Sequence, residues 1–132
     1  MSFRKAGPLA AAMVMMAAAS GASAHHSVYG AFDMTSPRTM TGVVREVHWI
    51  NPHVFFAFDT KDAAGKTVTW RLESQPVAAM RNAGLTKASL IGDGKPVEIS
   101  FLPPRKADAG NIGFLLKIKL PNGKFIQFAP EK

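Results

Sequence analysis

The 132 residues contain no cysteine. That absence excludes disulfide staples, thiol nucleophiles and thiolate metal sites, so a metal would have to be held by histidine, carboxylate, methionine or the chain's own amino terminus. A small domain without disulfides must also be held by packing alone. Histidine is scarce and one-sided: the four residues are His25, His26, His48 and His53, and none follows. Acidic residues number 9 against 16 lysines and arginines, a formal charge of +7. A basic surface favours anionic partners, although here the charges are scattered rather than clustered, which also fits a simple solubility role. There is no glycine-rich phosphate loop, no nucleophile motif around Ser27, Ser36, Ser74, Ser89 or Ser100, and no internal repeat. No catalytic set emerges, and the chain reads as a binder rather than an enzyme.

Long apolar runs are nearly absent too, and the exception is informative. Arg4 and Lys5 precede an uncharged stretch from Leu9 to Ala19, followed by small residues ending Ala22-Ser23-Ala24. Positive n-region, apolar h-region and A-x-A site together predict a secretory signal peptide over residues 1–24. The apolar stretch is shorter than the ~20 residues a bilayer-spanning helix needs. The expected mature chain therefore begins at His25, has no membrane anchor, carries a formal charge of +5 once Arg4 and Lys5 are removed, and is periplasmic or secreted.

From His25 onward the punctuation is that of β-structure. Residues 25–38 read as an N-terminal arm, with Val28, Tyr29 and Phe32 able to dock on a core, and residues 39–132 as the folded domain. The alternation in Thr39 to Trp49 predicts a strand with Val43, Val47 and Trp49 inward and Val44, Glu46 and His48 outward. Asn51-Pro52 interrupts it, because proline donates no amide and forces its predecessor into extended geometry. A second strand, His53 to Thr60, turns Val54, Phe56 and Phe58 inward, and a third, Lys66 to Glu73, does the same with Val68, Trp70 and Leu72. Three strands joined by short turns make a meander. Pro76 opens a short helix over 77–83 that Gly84 ends, and Thr86 to Leu90 adds a turn. Strands follow at Pro96 to Leu102, Asn111 to Leu120 and Lys124 to Phe128, the last two joined by the hairpin signal Pro121-Asn122-Gly123. This order predicts an all-β fold: a small OB-like barrel of five to six strands, with one short helix between strands 3 and 4. Closure also removes the exposed edges that an open sandwich, the alternative, would leave.

Two motifs carry a resemblance. Ala24-His25-His26-Ser27 with Phe32 beyond it, and Thr41-Gly42-x-Val44-x-x-Val47-x-Trp49-x-Asn51-Pro52-His53, resemble a family of small exported bacterial proteins classed as a domain of unknown function. Trp70, Glu73, Pro76 and the stretch Gly92 to Val97 extend the likeness over nearly all of the mature chain. Two departures stand out: His48 occupies a position that is usually acidic or polar, and Gly94-Lys95-Pro96 is longer than the usual turn. The resemblance implies export and a β-barrel, with no established activity.

The histidines are the candidates for chemistry. Cleavage after Ala24 would give His25 a free amine beside its own imidazole, so that one residue chelates through two nitrogens. A third nitrogen from His53 or His48, with His26 as the next candidate, completes a set that suits copper(II), which heads the divalent affinity order. The metal site expected is thus His25, His26, His53 and His48, resembling histidine-brace copper proteins in the N-terminal chelate alone. Glu73 can orient a histidine from behind. The plain alternative is a solvated tail and a His53 that bonds a turn backbone. A second functional reading is a non-metal binding module that holds a peptide, glycan or partner protein against Phe55, Trp49 or Phe56. Nucleic acid suits the fold and charge but not an exported chain.

Overall fold

A computed structural model describes residues 28–128; the expected signal peptide, His25 and His26 lie outside the described residues. A single turn of helix, α1 (Val28–Ala31), leads into strand β1 (Arg38–His48), then β2 (Phe55–Lys61) and β3 (Thr67–Glu73). Two short helices, α2 (Val77–Asn82) and α3 (Lys87–Ile91), with a 3-10 turn at Gly92–Gly94, separate these from β4 (Val97–Leu102), β5 (Ile112–Lys119) and β6 (Phe125–Gln127). The strand order is β3-β2-β1-β4-β5-β6, and a further β3–β5 pairing closes the first five into a barrel with β6 outside it. All ladders are antiparallel except β3–β5, where Arg71, Leu72 and Glu73 run parallel to Ile112, Gly113 and Phe114. The fold is the OB-like all-β barrel expected from the element order.

One expectation needs correction between strands 3 and 4, where two short helices replace one. Gly84, at φ 90°, ends α2 in a conformation that side chains disfavour. Thr86 then starts α3 with a capping box: its side-chain oxygen accepts the Ser89 amide, and its own N–H donates to the Ser89 hydroxyl oxygen.

The core forms where the inward faces of the five strands meet under α2 and α3. Phe56, Phe58, Leu72, Ile99, Phe101 and Leu115 are fully buried, and Trp70 packs on Phe101 with ring centroids 5.0 Å apart. In β1 the expected facing changes: Val44, not Val43, is buried beside Val47. The cause is a register shift between Val44 and Glu46 against β2. An extra residue at Arg45 breaks the two-residue period, so positions three apart point inward. Gly42 marks the strand's other device. There β1 passes from pairing with β4 to pairing with β2, and a Cβ would lie 2.1 Å from the Asp59 carbonyl oxygen.

The arm is anchored by a cluster of its own. Val28 and Phe32 form a small second cluster with Leu102 and Phe114. Phe32 bridges to Pro104, and the Arg105 guanidinium donates to the carbonyls of Tyr29 and Phe32 at 2.7 and 3.3 Å.

Candidate functional site

The connection between β1 and β2 carries the Trp-x-Asn-Pro-His motif, and each residue in it has a distinct role. Trp49 is half-buried against the core. Ile50 is exposed. Asn51 precedes a cis peptide bond to Pro52, and its side-chain oxygen accepts the Val77 amide at 3.1 Å. That contact satisfies one of the unpaired N–H groups at the start of α2, where Pro76 has no side chain able to do so. His53 follows, and the next residue, Val54, is locked into the fold by paired backbone bonds with Ser74 and Gln75.

This framework sets His53 against β3. Its Nδ1 contacts the Glu73 carboxylate, joining residues twenty apart in sequence. On the same outward face, Phe55 stacks on His48 with centroids 4.3 Å apart and planes 13° from parallel. From the other side, the Arg71 guanidinium carbon lies 4.4 Å over the Phe55 ring. Because β1 and β3 flank β2, the Phe55 ring is covered from both sides and presents its edge. His48 also pairs with Glu46 through Nε2 at 2.7 Å.

His53, Glu73, Phe55 and Arg71 border a cavity of about 320 Å³ on the outer face of the barrel, where β3 meets β5. Strands β2 and β3 supply Phe55, Arg71 and Glu73; the β1–β2 connection supplies Ile50, Pro52 and His53; the arm and β5 supply Phe32, Ile112 and Gly113. Gly113 allows the close approach of β5 to its neighbours, since a Cβ would stand 2.4 Å from the Phe101 ring of β4 and 2.9 Å from the Leu72 side chain of β3.

Of the four histidines expected as ligands, His53 lines this cavity. His48 lies on the far side of Phe55, bordering a separate depression with Glu46 and Trp70, and His25 and His26 lie outside the described residues. Among the described residues, no group of three or more histidine, cysteine, aspartate or glutamate side chains gathers into a metal-binding cluster. Of the aromatic residues expected to hold a partner, Phe56 is wholly buried and belongs to the core, because it alternates with Phe55. The Glu73 contact agrees with the orienting role the sequence suggested. Arg71, Ile50 and Ile112 were not singled out beforehand. The signal for Arg71 was present, since alternation through the inward Trp70 and Leu72 puts residues 71 and 73 on one outward face.

None of the curated proteins matches the chain. Among solved structures, a variant of the Salmonella typhi PltB homopentamer is similar at 13% identity, covering 74% of this chain and 93% of that one, with a TM-score of 0.38. Residues 12–113 match the profile of a family of unknown function (DUF6152), and the chain belongs to that family.

Proposed function

We propose that the protein is an exported copper(II) carrier or sensor, in which the metal is held by the amine and imidazole of His25, exposed by removal of residues 1–24, and by Nε2 of His53. The observation that supports this most is the Glu73 carboxylate on His53 Nδ1. Metal-ligating histidines give their second ring nitrogen to a carboxylate or carbonyl, which fixes the ring and raises the basicity of the ligating nitrogen. A metal taken by the His53 ring is then taken at Nε2. Chain length is consistent with the partnership. His25 lies three residues before Val28, which packs in one cluster with Phe32, a residue of the cavity lining, and three residues span at most about 11 Å. Three nitrogens suit tetragonal copper(II). His26 is the next candidate, and His48, engaged with Glu46 and Phe55, is left out of the set.

Intact mass of the protein recovered from the periplasm tests the start at His25. Copper titration of that protein, followed by electron paramagnetic resonance, tests the ligands. One extra residue before His25 moves the amine without altering a side chain; it and His53→Ala are each expected to change the spectrum and weaken binding. Glu73→Gln should weaken it by about 10–100-fold, while His48→Ala leaves it unchanged. Binding should also weaken as pH falls, because an α-amine and an imidazole ligate only when deprotonated. Equal affinity and spectra for the native and extended termini would reject the reading.

A further inference from the structure

The cavity on the outer face of β2 and β3 carries a second chemistry that does not rest on the copper reading. Arg71 projects from β3 with its guanidinium over Phe55, which His48 backs from β1. A guanidinium held over a ring keeps its N–H donors around its rim, directed away from the stack. The ion pairs among the described residues are Arg45–Asp59, His48–Glu46 and His53–Glu73. Glu73, two residues along the strand on the same face as Arg71, is thus turned to His53, and among the described residues no carboxylate pairs with Arg71. A cation so placed beside the apolar walls of Phe32, Ile50, Pro52 and Ile112 matches a ligand with one anionic group and an apolar body.

We propose that this cavity binds a small organic monocarboxylate, its carboxylate on Arg71 and its apolar part against Phe32, Ile50 and Ile112. Three observations set the class. The planar fork of arginine fits a carboxylate through two parallel hydrogen bonds. The ligand carries a single charge, because a dianion such as phosphate would meet the Glu73 carboxylate across the same cavity. The volume of about 320 Å³ stands at the lower end of the roughly 300–1,000 Å³ of small-molecule clefts, which suits a body of one ring rather than a polymer.

The test uses metal-free protein beginning at His25, treated with chelator, so that its outcome is separate from that of the copper titration. Phenylacetate is titrated while backbone and methyl resonances are followed, with phenylacetamide and acetate as controls. Saturable shifts at Phe32, Ile50, Ile112 and Arg71 are expected for phenylacetate. The neutral amide and the bare anion should each bind about ten-fold more weakly or worse, as should phenylacetate to Arg71→Gln, the cost of losing a charge-assisted bond. Arg71→Lys keeps the charge without the fork and should recover part of the affinity, which guards against a folding defect in the glutamine variant. Shifts mapping elsewhere, equal binding of the amide, equal binding of acetate, or an unchanged Arg71→Gln would each overturn the proposal.

Discussion

Asp59 ties two neighbouring strands through its carboxylate. The Thr69 hydroxyl donates to one carboxylate oxygen at 2.6 Å and the Arg45 guanidinium to the other at 2.8 Å. The Thr69 bond is the main cause that holds this carboxyl below its ordinary value of 3.8; partial burial opposes it, and Arg45 adds to it. A carboxyl depressed in the folded state stabilises the fold fully above its unfolded value, and that contribution is lost as pH falls through the folded one. The melting temperature of Asp59→Asn should therefore lie below that of the parent by a constant gap above about pH 5, narrowing below the ordinary carboxylate range. Thermal melts of both proteins from pH 7 to pH 2.5 check this. A gap of the same size throughout would mean that ionisation of Asp59 contributes nothing.

Among elements, α2 has little of its own to hold its start. It has six residues, no side-chain cap of its own and no acidic residue in its first turn. Its start is held instead by Asn51, twenty-six positions earlier. Asn51→Ala should cost about 0.5–2 kcal/mol, the usual worth of a capping oxygen, and hydrogen exchange should speed up first at Val77. Urea melts within 0.3 kcal/mol of the parent would show the cap to be dispensable. The same contact marks the limit of what could be read beforehand. Strand positions, the hairpin at Pro121-Asn122-Gly123 and the meander follow from local alternation and turn chemistry, and they were legible. The bulge at Arg45 was not, because nothing in Val43-Val44-Arg45-Glu46 says which valine faces inward until β2 is laid beside it. Nor did the motif disclose that Asn51 serves α2 while His53 serves β3, since both partners are tertiary. Part of the site was legible all the same: His53, Phe55 and Glu73 were placed on outward positions by period alone. Phe32 and Ile112 join them only when the arm and β5 close on β3.

At the scale of the whole molecule, closure joins distant stretches. Arg38 pairs with Phe101, and residues 71–73 wait for 112–114. Such pairings make folding slow, because loop entropy must be overcome before the contacts form. The chain is also made from its N-terminus. At about 5–20 residues per second, the stretch from Glu73 to Ile112 takes roughly 2–8 s to appear, whereas a hairpin forms in about 1–10 μs. The first three strands can thus pair long before β4 and β5 exist, leaving a ribbon with bare backbone donors and acceptors on both margins, which are templates for other chains. A fragment ending at Gly110 preserves the last part of that interval, when β4 has joined β1 but β5 is still missing. It lacks the strand that pairs with both β3 and β4, and should show no cooperative melt and elute as associated species at micromolar concentration. A monomeric fragment with a sharp thermal transition would mean that β1 to β4 sustain themselves. If the fragment associates, the margin left open during synthesis is where this small barrel is most exposed to mispairing, and the arrival of Gly113 opposite Leu72 ends that exposure.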